Sequence, residues 1–301
     1  MNKFRLLFLF IVISFGLLNK SFATHIRGGN ISVSVISTRP LVVLFKVSLY
    51  RDSNSFTNIG NGLLYFWDGT SVRLRQNADS IDIKYLGNQI EEYIFYISHA
   101  YHSGTGFIAP FYFEANRNAG TVNLQNSVSI PFFIETQIVI APNGQINNSP
   151  IFQIPPNDEG VVGELFIHNV GAYDPDGDSL SYELITPYQQ KEIEVVSYEI
   201  PDSSWIDKYG NIYWDKPVFV GQYTYALRVT EWRFFDGKWQ DIGFVIRDMQ
   251  VYIRDLPNAP PTITPNGSIC VVAGETAIID MVVEDPNDNM ISVELFNDLN
   301  L

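Results

Sequence analysis

One short acidic pattern occurs twice in this chain, 111 residues apart. The first copy is Asp174-Pro175-Asp176-Gly177-Asp178, running into Ser179-Leu180-Ser181-Tyr182-Glu183-Leu184. The second is Asp285-Pro286-Asn287-Asp288-Asn289, running into Met290-Ile291-Ser292-Val293-Glu294-Leu295. An Asn-x-Pro lies upstream of each: Asn148 is 26 residues before Asp174, and Asn258 is 27 before Asp285. Self-similarity at a fixed period means tandem modules, and a period of about 110 residues suits one β-sandwich per copy rather than a solenoid repeat.

Strand signals fill the rest of the chain. Ile31, Val33 and Val35 alternate with Ser32 and Ser34, and Ile81, Ile83 and Tyr85 keep period two. Residues 107–113, 133–140, 195–200, 222–230 and 244–253 are β-branched or aromatic runs bounded by Gly, Asn, Asp or Pro. No stretch after the N-terminus shows a sustained helical period. The expected fold is all-β: tandem β-sandwiches at 24–142 and 148–255, then the start of a second repeat, truncated, at 258–301. That last piece holds some 40 residues of a fold that takes about 110, so the chain is expected to be the N-terminal part of a longer protein. Pro257-Asn258-Ala259-Pro260-Pro261 reads as a stiff joint before it.

The N-terminus points to export. Asn2-Lys3-Phe4-Arg5 is basic, residues 6–18 are apolar or small, and Ser21-Phe22-Ala23 offers small residues for cleavage. Residues 1–23 read as a secretory signal peptide, because 13 apolar residues fall short of the roughly 20 needed to span a bilayer. The expected location is secreted or cell-surface, with no direct membrane insertion of the mature chain. Removing Lys3, Arg5 and Lys20 from the chain's 19 basic residues leaves 16 against 33 acidic ones, a formal charge of −17. That balance argues against nucleic acid and anionic membranes as partners and suits cations or, as a solvated acidic surface, solubility. The single cysteine, Cys270, excludes an intrachain disulfide and reads as a core thiol.

The acidic turn has the chemistry of a calcium site. Calcium takes 6–8 oxygen ligands, several of them carboxylate. Alternate side chains of an extended segment share a face, so Asp174, Asp176 and Asp178 can converge, with Gly177 permitting the bend. The pattern is not an EF-hand: Ser179 stands at the sixth position where glycine is needed, and Ile185 at the twelfth where a bidentate glutamate is needed. Glu231, Asp158, Glu159 and the carbonyl of Asn148 are candidates for the remaining oxygens. The alternative is a plain Asp-Pro-Asp-Gly turn, whose residues are all turn formers. In the second copy Asp285, Asn287 and Asn289 form a weaker candidate site, with fewer charges and Asp288 in place of the glycine.

Other constellations carry less. His99 and His102 on one strand face opposite sides, which argues against a shared metal. No nucleophile elbow, zinc-protease, phosphate-loop or dinucleotide motif occurs, so no catalytic residues are assigned and a non-enzyme is expected. A structural or adhesive surface protein, binding a cell-surface protein or polysaccharide, is the leading class. A carbohydrate-binding or substrate-docking protein is the alternative, using Trp67, Trp232 or Trp239 as sugar platforms. A co-planar row of exposed aromatics would favour the second, and acid clusters at module junctions the first.

Asn148-x-Pro150, Gly163, Asp174 to Tyr182, Trp205-Ile206, Gly210-Asn211-Ile212, Pro217, Gly221-Gln222-Tyr223 and Val229-Thr230-Glu231 together resemble the cadherin-like, dystroglycan-type immunoglobulin-like modules of extracellular proteins. Glu231 stands where that family usually has Asp. A narrower resemblance rests on Thr24-His25-Ile26-Arg27-Gly28-Gly29-Asn30-Ile31, Tyr50-Arg51-Asp52, Asn116-Arg117-Asn118-Ala119-Gly120, Asn126-Ser127, Phe133-Ile134-Glu135-Thr136, Arg247-Asp248-Met249-Gln250 and Cys270-Val271-Val272-Ala273-Gly274. These look like the N-terminal region of large surface proteins of gliding bacteria. The resemblance implies gliding-motility-associated modules, export by the type IX route and a C-terminal sorting domain.

Overall fold

Alternation along the sequence becomes alternation in depth. In the strand Leu41–Asp52, every second residue from Leu41 to Leu49 is buried in one core. A computed structural model describes residues 26–293 except positions 56–58, 60–61, 76–80, 88, 103–105, 258, 266–271, 273–275, 277, 288 and 292, and no α-helix occurs among them. The signal peptide, Thr24, His25, Cys270, Asn258 and Asp288 lie outside the described residues. The fold is all-β.

The first sandwich contains β1 (Ile26–Thr38), β2 (Leu41–Asp52), β3 (Leu63–Tyr65), β4 (Ser71–Arg73), β5 (Ile81–Gly87), β6 (Ile90–Tyr101), β7 (Phe107–Ile108), β8 (Phe111–Glu114) and β9 (Phe132–Val139). Its layers are β1-β2-β6-β5 and β4-β3-β8-β9. Val33, Phe45, Val47 and Phe95 of one meet Leu64, Tyr112, Ile134 and Ile138 of the other. Each such side chain contributes about 1.5–3 kcal/mol by leaving water.

The second sandwich contains β10 (Ile151–Phe152), β11 (Asn157–Val161), β12 (Phe166–Asn169), β13 (Ala172–Tyr173), β14 (Ser179–Ile185), β15 (Tyr188–Gln190), β16 (Ile193–Glu194), β17 (Ser204–Ile206), β18 (Asn211–Trp214), β19 (Gly221–Phe235) and β20 (Lys238–Arg254). The layer β14-β19-β20-β11 covers β12-β18-β17. Tyr225, Leu227, Val229, Val251 and Ile253 pack there on Phe166, Ile212 and Trp214. Beyond it β21 (Thr262–Pro265) and β22 (Met281–Glu284) form a hairpin whose Ile263, Met281 and Val282 are exposed.

β20 joins the two sandwiches. One edge pairs with β19 along its length. The other edge is divided: Gly243–Val245 pair with β9, Asp248 with Gly29 of β1, and Gln250–Arg254 run parallel to β11. Both layers of the first sandwich are thus pinned to one strand of the second. The contact needs glycine, since a Cβ at Gly28 would lie 2.5 Å from the Asp248 carbonyl oxygen.

Buried polar groups line this seam. Arg117 Nη1 meets Asp248 Oδ2 at 2.6 Å, with both side chains inaccessible. Asn118 and Gln250 exchange amide hydrogen bonds, at 3.0 and 2.5 Å. Arg247 is fully buried, donates to the Ile154 carbonyl at 2.7 Å and to Asn30 Oδ1 at 3.3 Å, and lies over the Phe152 ring. Burial draws its guanidinium down to about 10, against the opposing influence of Tyr50 and Glu92. The connector after residue 142 is also tied down: Ser149 N donates to the Val33 carbonyl at 2.9 Å, and Val33 N to Ser149 Oγ at 2.8 Å.

Removing one partner of a buried ion pair strands the other. Asp248→Ala is expected to lower unfolding stability by about 3–5 kcal/mol, whereas Arg117→Met with Asp248→Leu recovers most of it. Urea unfolding followed by tryptophan fluorescence checks this. A double variant as unstable as the single one would show that the pair itself, not the stranded charge, carries the seam.

Candidate metal centre at the acidic turn

The turn between β13 and β14 folds on its first aspartate. Asp174 Oδ1 accepts hydrogen bonds from the backbone N of Asp176 at 2.9 Å and of Asp178 at 3.0 Å. That closure is the ordinary Asx turn. Gly177 takes φ +82°, where a side chain would be strained. One carboxylate oxygen from each of Asp174, Asp176 and Asp178 lies within 4.8 Å of the others. The expected convergence is real.

Glu231 closes the site from β19. It is fully buried, and its Oε1 accepts from Asn147 Nδ2 at 2.7 Å. Its Oε2 and the Oδ2 of Asp174 are both buried with no donor group to satisfy them, and the two carboxyls face one another so that a proton on Glu231 bridges them. Burial is the main reason the Glu231 carboxyl is pushed up to about 9; the Asn147 hydrogen bond opposes this, and neighbouring Asp174 and Asp178 add to it. Asp174 is raised by burial too, against the pull of its two backbone hydrogen bonds.

Two residues absent from the sequence-based candidate list complete the cluster. Arg233 grips Asp178 with Nε at 2.8 Å and Nη2 at 2.6 Å, and its Nη2 also reaches Asn147 Oδ1 at 2.6 Å. Asn147 is fully buried between Glu231 and Arg233. Arg233 had a signal, since it follows Glu231 by two on a strand and so shares its face. Asn147 had none beyond its place in the connector.

Asn148 is at the site, but as a donor rather than through its carbonyl. Its backbone N lies 2.6 Å from Asp176 Oδ2 and its Nδ2 lies 3.0 Å from Oδ1, while its own Oδ1 accepts from Val35 N of the first sandwich at 2.9 Å. Asp158 and Glu159 are elsewhere. Asp158 pairs with His168 Nδ1 at 2.9 Å, and Glu159 holds Arg254 through both oxygens. The parallel pairing of β11 sets Asp158 opposite Val251, whereas Glu231 is opposite Gly243. Eight residues of β20 separate those positions, roughly 26 Å at about 3.3 Å each.

The second copy repeats the backbone geometry. Asp285 Oδ1 accepts from the N of Asn287 at 2.7 Å and of Asn289 at 3.1 Å, and Asn287 Oδ1 accepts from Ala259 N at 2.8 Å. Ala259 thus stands where Asn148 stands, 28 residues before the middle turn residue in both copies. That register is one residue away from the Asn-x-Pro match. In the repeated turn Asn287 and Asn289 are exposed and Asp285 is half-buried.

The tryptophans make no flat platform with their nearest rings. Trp67 has the Lys191 ammonium 3.5 Å from its ring centre and Phe107 edge-on. Trp239 meets Phe234 at 66°, and Trp232 Nε1 donates to Ser181 Oγ at 2.8 Å. Trp205 and Tyr213 stack on one another at 5.0 Å, each covering a face of the other. His99 bonds Asp68 Oδ2 at 2.7 Å and stacks on Phe66.

No family model matches the chain, and no curated protein does. Among solved structures, it is similar to the N-terminal Ig1-2 module of Drosophila receptor protein tyrosine phosphatase DLAR, at 9% identity and a TM-score of 0.22, over 71% of this chain and 90% of that one. The human Desmocollin-1 ectodomain aligns at 11% identity and 0.24, over 89% of this chain and 61% of that one. The eight N-terminal Ig domains of Down Syndrome Cell Adhesion Molecule align at 9% and 0.22, over 79% of this chain and 25% of that one. Scores this low equate no element of one chain with an element of another, so function is argued from the residues.

Glu231 makes the metal-free chain pH-sensitive. Its folded pKa of about 9 lies above the ordinary 4.5, so the native state holds a proton that the unfolded state releases. Stability from this group is full below about 4.5 and declines as pH rises toward about 9. Glu231→Gln is expected to flatten that decline and raise the melting temperature at pH 8 in chelator. A variant with an unchanged pH slope would refute the assignment.

Proposed function

We propose that the chain is a non-catalytic, exported structural or adhesive surface module, of the gliding-motility-associated type it resembles, whose sandwich junction binds calcium. One observation carries the reading. Four carboxylates, of Asp174, Asp176, Asp178 and Glu231, meet one guanidinium at the point where the connector joins the two sandwiches. Ionised together they leave three uncompensated negative charges, and two of their oxygens, on Glu231 and Asp174, are buried with no donor unless a proton is shared between them. Such groups draw in a cation or protons.

The donors are hard oxygens, which suits calcium rather than a softer metal. Asp174 and Glu231 would offer their free oxygens and Asp176 its exposed carboxylate, while Arg233 retains Asp178. Asn148 ties this cluster to Val35 across the junction. A cation there would stiffen the joint between sandwiches. The acid cluster lies at a module junction, and the tryptophans do not line up, so adhesion is preferred over sugar docking. Export supports a cell-surface protein as partner. No helix of the described residues is long and apolar enough to cross a membrane.

Calorimetric titration of calcium into the chain at pH 8 is expected to show one principal site in the range of extracellular modules, about 10⁻⁴–10⁻³ M. Asp176→Ala weakens it and Glu231→Gln abolishes it; no heat at millimolar calcium in the parent chain would sink the reading. Glycoside, peptide and ester substrates are expected to give background turnover only.

A further inference from the structure

A second site lies at the far end of β19. Trp214 and Tyr223, both nearly buried, form the floor of an open groove of about 310 Å³. The rings meet edge to face at 4.7 Å and 71°. The walls are apolar and unusually bare: Val218 and Phe219 are 68% and 70% exposed, and Val122 is 47% exposed. Exposed apolar side chains gathered round one concavity mark an interaction site more often than a scatter of single ones. The volume falls within the range of real binding pockets.

The groove is built from both halves of the chain. Val122 comes from the segment preceding β9, and its N donates to the Gln222 carbonyl at 2.8 Å. The neighbouring Asn123 clamps Thr224 through both the backbone N and the carbonyl, at 2.9 and 2.8 Å. The opposite wall hangs from residues held in left-handed backbone: Ser203 at φ 60° and Lys216 at φ 51°. Ser203 accepts from Asp215 N at 3.2 Å. Non-glycine residues in that region cost energy and persist where surrounding structure holds them, as at ligand clamps.

The rim is acidic. Glu199, Asp202 and Asp215 line it against the single cation of Lys216. Among the described residues none of these four forms an ion pair. Apolar walls and unspent carboxylates are together what a lysine or arginine side chain requires: apolar surface for its stem and carboxylates for its head.

We propose that this groove binds an extended, basic segment of a partner protein, with aliphatic residues against Val122, Val218 and Phe219 and a Lys or Arg reaching Asp202 and Asp215. Charge selects the occupant. The chain's formal charge of −14 disfavours a second copy, and the acidic rim repels nucleic acid and anionic lipid. The inference rests on the adhesive reading only for the kind of partner; calcium binding at the distant turn is measured separately, so either can fail alone.

Fluorescence anisotropy of a labelled peptide of alternating valine and lysine, titrated with the full chain, tests it. The glutamate counterpart is the control. The lysine peptide is expected to bind and the glutamate peptide not to. Combined Asp202→Asn and Asp215→Asn should weaken binding roughly fivefold. Phe219→Ser should weaken it too, and an unchanged melting temperature would show that each variant is folded. Equal binding of the two peptides, no binding up to about 1 mM, or an unaffected double variant overturns the proposal. So does a fall in sedimentation coefficient in Phe219→Ser, which would make the occupant a second copy.

Discussion

Everything in this architecture depends on how the second edge of β20 is divided. Had β11 taken that whole edge, the first sandwich would lose its pairing with β20 and keep its connector and the bonds of Asn118, Val122 and Asn123 to Gln222 and Thr224 of β19. Here β9, β1 and β11 each take a few residues of it. The partition holds because backbone approaches backbone at Gly28 and Gly243, where a Cβ would collide with the Asp248 and Gln137 carbonyls. The Arg117–Asp248 ion pair and the hydrogen bonds of Arg247 to Asn30 and Ile154 then fill the space between. Arg117–Asp248 and the Arg247 cluster are poor sources of net stability in themselves, since both charges had to leave water. Their value lies in register, because an unpaired buried guanidinium penalises any other alignment of the halves.

That seam explains the separate motifs of the sequence. Gly28, Asn30, Arg117, Asn118, Arg247, Asp248 and Gln250 are scattered over more than 200 positions, yet they are largely each other's partners. Each segment was readable as a motif. Their pairing was not, because hydrophobic period two specifies which face of a strand is buried and says nothing about which distant strand shares its edge. The strands themselves and the two cores were legible for the same reason: their information is local.

The acidic site divides along the same line. Asp174, Asp176 and Asp178 close on one another through an Asx turn spanning five residues, and a turn is visible in sequence. The repeat at Asp285 reproduces it with Asn287 and Asn289 in place of two aspartates, so the backbone shape belongs to the turn and the three converging carboxylates to the first copy alone. Glu231 was reachable because β14 and β19 are antiparallel neighbours, with Leu180 opposite it. Asp158 and Glu159 were misplaced because a parallel strand inserts at the other end of β20, and no local pattern announces a parallel partner. Arg233 and Asn147 show what an acid-only search omits: a buried carboxylate cluster assembles its own cation and donors before any ion arrives.

That internal cation decides how a bound ion would act. Arg233 neutralises Asp178 and leaves the rest of the cluster short of positive charge, so on the proposed reading a bound calcium would add to a cluster that already holds one cation. An ion that binds only the folded state stabilises by RT ln(1 + [L]/Kd), about 1.4 kcal/mol at ten times Kd. This is small beside the roughly 5–15 kcal/mol that holds a domain together. It is comparable with the free energy that separates two orientations of neighbouring modules. A site with a resident guanidinium therefore suits a joint better than a core: a bound ion would act where Asn148 ties Asp176 to the backbone of Val35.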